Sequence, residues 1–305
     1  MSFSDVGSYC DLARKLLSFP LDLVKKTLEE VDPINPEVLE GFYRAYRQDW
    51  NLKVSGVDIV GTGGDGKNTF NISTTASFVC AASGIPIVKF GNRSATSSSG
   101  SMDVLSYLDI KRSKVRGEVI DNLEKANLAF IPANEVYPAF ARFSSLRREI
   151  KKPTVFNYLG PLLNPVEVSL TVLGVSRLEA IRAYTDFFEK IKKRSIILTS
   201  EGFDEAIPFQ ESIVHSRYKE RKILASKQGS LEELTIHTPS QSAEIILNIL
   251  SKKDRSIRYD CVALNAGIAI AYFRNISIVE GIRLAEETIY SGKAYEVLRK
   301  LQGNN

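Results

Sequence analysis

Residues 57–103, VDIVGTGGDGKNTFNISTTASFVCAASGIPIVKFGNRSATSSSGSMD, decide how the rest of the chain is read. A short apolar strand, 57–60, breaks at once into Gly61-Thr62-Gly63-Gly64-Asp65-Gly66. Glycines this dense permit positive φ and let the backbone approach a ligand, and consecutive N–H groups in such a turn form an anion-binding nest. The pattern predicts a helix over 74–83 with Asn71, Ser73 and Thr74 at its mouth, where free N–H groups and the macrodipole favour phosphate. The unit then repeats. A second apolar run, 85–88, ends in Lys89, and Gly91-Asn92-Arg93-Ser94 leads through 97–101 into a second helix starting near Ser101. Two strand–loop–helix units with hydroxyl- and glycine-rich loops, one carrying Lys and Arg, point to a ligand with several phosphates.

Taken alone, Gly-Thr-Gly-Gly after a strand is equally well explained by a tight turn. No Gly-Lys-Ser/Thr closes the loop as in a Walker motif, and the Gly-x-Gly-x-x-Gly spacing of a dinucleotide fold is missing. Working outward, residues 1–53 carry apolar positions at helical spacing, among them Leu12, Leu16, Val24 and Leu28. Asn35-Pro36-Glu37 reads as an N-cap with proline at the first helical position. No strand pattern precedes Val57, so a small helical domain is expected there. Beyond 57 the chain alternates strands and helices, with strands expected at 128–131, 170–175 and 195–199 and a helix at about 178–190. Helical periodicity with a basic face returns over 138–152, and 154–164 reads as a further short helix. Residues 206–240 read as β-hairpins, and 264–272 as part of a core helix.

The 305 residues are 44% hydrophobic and 25% charged, as in soluble globular proteins. The net charge of +4 comes without a basic tail, and short clusters such as Arg147, Arg148, Lys151 and Lys152 are ordinary solvated helix faces, so nucleic-acid binding is disfavoured. Cys10, Cys80 and Cys261 lie far apart among apolar neighbours, which fits reduced buried thiols and a cytoplasmic protein better than a metal site. No signal peptide is apparent, and no apolar run is long enough for a bilayer.

In combination, Gly-Thr-Gly-Gly-Asp, Asn-Ile-Ser-Thr, Lys-Phe-Gly-Asn-Arg-Ser and Ser-Gly-Ser-Met-Asp closely resemble anthranilate phosphoribosyltransferases. The resemblance continues through Phe156-Asn157-Tyr158-Leu159-Gly160-Pro161-Leu162-Leu163-Asn164-Pro165, Gly202-Phe203-Asp204-Glu205, Leu264-Asn265-Ala266 and Ser291-Gly292-Lys293-Ala294. It implies an α/β fold: a discontinuous helical domain of residues 1–54, completed by about 134–166, beside an α/β domain of 55–133 and 167–305 with a mixed, mostly parallel sheet. It also implies transfer of phosphoribose from phosphoribosyl pyrophosphate (PRPP) to anthranilate, with Mg²⁺ and a homodimer formed through the helical domain. Carried over residue by residue, Gly61, Gly63, Gly64, Asp65, Thr69, Asn71, Ser73, Thr74, Lys89 and Ser101 would hold PRPP. Ser73, Asp204 and Glu205 would serve Mg²⁺, and Lys89, Asp204 and Glu205 would carry catalysis. Gly61, Phe90, Asn92, Arg147 and Pro161 would line the acceptor pocket.

Without that context an Asp-Glu pair such as Asp204-Glu205 is most often a turn or a solvated helix start. The chain departs from the family where its usual Lys-His-Gly-Asn is Lys89-Phe90-Gly91-Asn92 and its usual His-Pro is Tyr137-Pro138. Phe90 then reads as a packed wall residue, against the sharper reading of a shifted acceptor preference. The helical segment ahead of Asn35 is short for the family, and Thr96-Ser97 stands where the family has Ser-Ser. An aryl amine is already a competent nucleophile, so a Ser–His or Cys–His pair is not required, and the only histidines are His215 and His237. Two competing readings are a pyrimidine nucleoside phosphorylase, whose Lys-His-Ser-type phosphate motif is missing, and a non-catalytic nucleic-acid-binding relative, which degenerate glycine loops and a strongly basic surface would favour.

Overall fold

The computed structural model describes residues 5–93, 99–150 and 152–303, apart from the side chains of Ser144, Arg147 and Arg148. Three helices open the chain: α1 (Val6–Leu16), α2 (Leu21–Glu30) and α3 (Pro36–Tyr46). Their starts are chemically marked. Asp5 caps α1 by accepting from Ser8 N–H, and Asn35 caps α3 by accepting from Glu37 N–H, with Pro36 in the first turn.

The α/β part follows as β1 (Lys53–Gly61), α4 (Ile72–Ala82), β2 (Ile87–Gly91), α5 (Ser101–Tyr107), α6 (Arg116–Ala126) and β3 (Leu128–Pro132). The chain then leaves the sheet for α7 (Ala133–Val136), a 3₁₀ turn Pro138–Phe143, α8 (Ser144–Glu149), α9 (Val155–Leu159) and a second 3₁₀ turn, Gly160–Leu162. It returns with β4 (Glu167–Gly174), α10 (Ala180–Lys190), β5 (Ser195–Ser200), β6 (Ser212–Ser216) and β7 (Lys219–Ile223). Five helices close it: α11 (Leu231–Leu234), α12 (Pro239–Leu250), α13 (Ile257–Arg274), α14 (Ile278–Ser291) and α15 (Lys293–Leu301). Among the described residues no single helix is long and apolar enough to cross a membrane.

The strands form one sheet in the order β3-β2-β1-β4-β5-β6-β7. β3, β2, β1, β4 and β5 run parallel, and β6 and β7 add antiparallel at one edge. Both faces of the parallel part are covered, and the period of two sends neighbouring residues to different cores. Ile59, Ile87, Phe130, Val172 and Leu198 face a core built with α4, α12 and α13. Val60, Val88, Ile131, Leu173 and Ile197 face the other, built with α3, α9, α10 and the 138–168 segment. Helix α4 is buried almost all round, as an apolar helix at the centre of a layer must be.

The sequence reading needs correction in three places. β1 begins at Lys53, not at Val57; its first turn of strand reads as polar because Lys53 and Ser55 are exposed, and the register shifts between Val54 and Val57. Residues 206–240 hold one hairpin, β6–β7, and then helices α11 and the start of α12. Both helices carry capping boxes, Ser230 with Glu233 and Thr238 with Gln241, a sequence signal stronger than the polarity that suggested hairpins. Residues 154–164 are not one helix: α9 gives way to a 3₁₀ turn at Gly160-Pro161.

Candidate active site

The strand order turns back between β1 and β4: the chain steps from β1 to β2 and β3 on one side, then returns to β4 on the other. In open α/β sheets ligands bind at such a switch, outside the carboxyl ends of the strands. Here those ends are Gly61 and Gly174, paired in register. Asp204, on the turn after β5, lies across both. A Cβ at Gly174 would collide with the Asp204 carbonyl, and one at Gly61 with its carboxylate. Asp204 Oδ2 in turn accepts from the N–H of Gly63 at 2.7 Å, so the loop after β1 and the turn after β5 are bonded together. Gly63, Gly64 and Gly66 all have left-handed φ, +61°, +72° and +72°, with open space where side chains would be. That is a bare backbone presented to a ligand.

Around this crevice the sequence-predicted residues fall in three groups. The first is acidic. Carboxylate oxygens of Asp65, Asp204 and Glu205 lie within 4.8 Å of one another. Asp65 Oδ2 and Glu205 Oε2 are buried and have no hydrogen-bond partner among the described residues. Burial pushes the Asp65 carboxyl up to about 6, helped by the charge of Asp204. Burial raises Asp204 and, further, Glu205, on which the Asp204 and Asp65 charges also act. Like-charged carboxylates this close hold a proton unless a cation replaces it. The all-oxygen donors and the two orphaned oxygens fit Mg²⁺, a hard cation that bridges carboxylates to phosphate oxygens. Ser73, also expected in this set, has its Oγ accepting from Lys89 Nζ at 3.2 Å.

The second group lies at the mouth of α4. Lys89 is buried, and β2 points it onto the α4 face, where its Nζ also donates to the Ile59 carbonyl. Burial lowers its pKa to about 8, against the upward pull of Asp58, Glu205 and Asp204. Asn71 Oδ1 accepts from Ser99 Oγ (2.8 Å) and Ser242 Oγ (2.7 Å), and its amide nitrogen donates to the Ser99 carbonyl (3.3 Å), so both ends of the amide are held. Thr74 Oγ1 is buried with no partner among the described residues. Thr69 bridges Thr235, and Ser101, at the start of α5, donates to the Asn92 carbonyl.

The third group flanks the helical segments. Phe90 is buried at 2% exposure, its ring edge-on to Tyr137 at 6.1 Å between centroids. Tyr137 donates to the Leu163 carbonyl (2.7 Å) and accepts from Gln48 N–H (3.1 Å). Phe90 is therefore a packed aromatic wall. Asn92 is exposed, Pro161 is buried in its 3₁₀ turn, and the Arg147 side chain lies outside the described residues. So does the pair Thr96-Ser97.

Three contributors escaped the sequence reading. Lys67, its Nζ 5.1 Å from the Phe203 ring centroid, brings a second cation beside Asp65; its place directly after the glycine loop was the available signal. Ser242 reaches Asn71 from α12, 171 residues away, with no local signal at all. Asp58 is buried under β2, accepting from Phe90 N–H (3.1 Å) and the Asn164 amide (2.8 Å).

Residues 53–295 match a family described as "Glycosyl transferase family, a/b domain". The anthranilate phosphoribosyltransferase of Christiangramia forsetii is 37% identical over 282 residues, 90% of this chain and 84% of that protein. That of Staphylococcus epidermidis is 38% identical over 257 residues, 80% and 77% of the two chains. Among solved structures, the Thermus thermophilus anthranilate phosphoribosyltransferase superposes with a TM-score of 0.89 at 29% identity, covering 99% of this chain and 96% of its own. The Saccharomyces cerevisiae enzyme in complex with PRPP and Mg gives 0.89 at 27% identity, covering 98% and 93%. By the identity it shares with these relatives over most of its length, the chain that carries this crevice belongs to the anthranilate phosphoribosyltransferase family.

Proposed function

We propose that this protein transfers the phosphoribosyl group of PRPP to anthranilate, releasing pyrophosphate and forming phosphoribosylanthranilate, a step of tryptophan biosynthesis. The observation that carries the reading is the meeting, at one strand switch, of an open glycine nest, a buried cation and an oxygen-only acidic cluster. A substrate bearing a 5′-phosphate, a pyrophosphate and Mg²⁺ needs all three. In this reading the Gly61, Gly63 and Gly64 backbone, with Thr69, Asn71, Ser73, Thr74 and Ser101, holds the phosphates and ribose of PRPP. Lys89 supplies positive charge, and Asp65, Asp204, Glu205 and Ser73 would hold the Mg²⁺ that accompanies the pyrophosphate. When bound, Mg²⁺ neutralises charge on the departing pyrophosphate. The chain itself contributes alignment: donor and amine are held for displacement at the anomeric carbon, and preorganised N–H groups meet the charge that develops. Anthranilate lies toward Asn92, Pro161 and the Phe90 wall, with Arg147 as partner for its carboxylate, since guanidinium matches that geometry in two bonds.

We further propose that residues 1–54 and 134–166 act as one helical unit. Arg142 donating to the Leu17 and Phe19 carbonyls, Lys152 to the Glu29 carbonyl, and the Lys25–Glu149 pair support that unit. Leu17, Leu21 and Leu23, exposed on α1 and α2, support a homodimer through it, in the cytoplasm. The test is calorimetry with PRPP, with and without Mg²⁺, followed by steady-state kinetics with anthranilate. PRPP binding is expected to require Mg²⁺ and to be lost in Asp204→Ala/Glu205→Ala. Arg147→Ala is expected to raise the anthranilate KM by about 2–4 kcal/mol of lost pairing with the PRPP KM unchanged. Full turnover in the double variant would overturn the assignment.

A further inference from the structure

Asn265 belongs to a motif quoted above but touches none of the groups assigned to substrate. It sits in the buried middle of α13, at 4% exposure, and its whole amide is spent on backbone. Oδ1 accepts from Ala206 N–H at 3.0 Å, while Nδ2 donates to the Ala206 carbonyl and to the Cys261 carbonyl, each at 2.8 Å. Ala206 is the residue directly after Asp204-Glu205. The same turn is gripped from the sheet side. Ser200 Oγ donates to the Glu205 carbonyl at 2.8 Å, and Ile207 N–H is shared between Ser200 Oγ and Ser212 Oγ, both at 3.1 Å. The two hydroxyls are 2.8 Å apart. Ahead of the turn, the bare backbones of Gly61 and Gly174 leave no room for Asp204 to advance.

We propose that Asn265 is the positioning residue that fixes the Asp204-Glu205 turn for its divalent cation, with Ser200 and Ser212 closing the same clamp from the sheet. The inference rests on the reading of Asp204 and Glu205 as metal-holding residues and adds what sets their spacing. The reason is mechanical. Strand ends block the turn on one side, and a carboxamide bonded to both the N–H and the C=O of one residue stops it retreating on the other. Few other side chains can do this, because it takes a donor and an acceptor on one rigid plane. Groups that orient metal ligands in this way typically govern affinity by about 10–100-fold.

The test is Mn²⁺ and Mg²⁺ binding by calorimetry, per folded molecule, on the full chain and on Asn265→Leu, with Asp204→Ala/Glu205→Ala as reference. Asn265→Leu is expected to weaken metal binding about tenfold or more and to raise the Mg²⁺ concentration for half-maximal activity by the same factor. The anthranilate KM is expected to stay put and excess Mg²⁺ to restore much of kcat. A lower melting temperature with unchanged metal affinity would mean a structural role only and overturns the proposal. If Asn265→Leu does not fold, Ser212→Ala decides instead: weaker metal binding upholds the clamp, and wild-type affinity refutes it. The reference variant separates the two layers. If it binds metal as well as the parent, the metal reading itself fails; if it alone loses metal, only the role of Asn265 fails.

Discussion

Asp58 shows how much one side chain can hold. It occupies a strand position whose neighbours are apolar, yet its two oxygens serve the Phe90 N–H and the Asn164 amide, and Asn164 in turn donates to the Val88 carbonyl and accepts from Val166 N–H. One carboxylate thus joins β1, β2 and the segment leading into β4. The cost is ionic. Burial pushes the Asp58 carboxyl up to about 6 from 3.8. Raised in the folded state, it contributes stability that is fully present below about pH 4 and lost as pH rises through about 6. Chemical unfolding of the parent and Asp58→Asn, compared at pH 4 and pH 7, is expected to show their stability gap shift by on the order of 2–3 kcal/mol against the parent at the higher pH. The mismatched donor that Asn would present to Asn164 lowers stability at both pH values and leaves this difference intact. A gap independent of pH would place the proton elsewhere.

At the scale of elements, α12 deserves its own experiment because it touches the donor loop from far along the chain. Ser242 is fully buried; its Oγ accepts from Asn71 N–H (3.0 Å) and donates to Asn71 Oδ1 (2.7 Å). Removing it takes away one of the two hydroxyls on Asn71 Oδ1, leaves the amide held by Ser99 alone, and unpairs the Asn71 backbone N–H. Ser242→Ala is expected to raise the PRPP KM about two- to tenfold, the worth of a hydrogen bond, while kcat and the anthranilate KM hold. An unchanged PRPP KM would show that Asn71 needs no such support. Elements in this chain were legible where they carry a period or a cap. The strand–glycine–helix units read correctly because alternation, apolar runs and glycine are local features. Helix α11 and the first residues of α12 did not, although Ser230 and Thr238 marked their starts, because the polar composition of 206–240 suits turns as well as it suits capped helix starts.

Across the whole molecule, the helical segments at the two ends of the sheet's first half meet over one face of that sheet. Phe42 and Tyr46 of α3 pack on Phe156, and Phe140 stacks on Tyr137 and packs at a tilt against Phe156. This shared aromatic core supports the proposed helical unit, whose two parts are separate in sequence. Its outer surface leaves Leu21 and Leu23 43% and 41% exposed. If these form the proposed dimer face, sedimentation will show a dimer for the parent and a monomer for Leu21→Glu/Leu23→Glu, since burying a carboxylate pair at an apolar interface is unfavourable. A monomeric parent at micromolar concentration would remove the dimer from the reading.

By itself the sequence determined the α/β class, the glycine loop after β1 and the α4 mouth, because each is written in consecutive residues whose backbone preferences are local; that Lys89 is buried came only from the structure. It also supplied Asp204-Glu205, but through resemblance, since two acidic residues in a row have no geometry of their own. Tertiary structure alone decided the rest. That Asp65 joins Asp204 and Glu205, that Ser73 serves Lys89, and that Phe90 is a wall against Tyr137 all depend on which strand ends stand side by side. Strand order and the long-range hydrogen bonds from Ser242, Asn265 and Asn164 follow from the packing of two cores on opposite faces of one sheet. Such contacts form between residues far apart in the chain, so no window of sequence contains them.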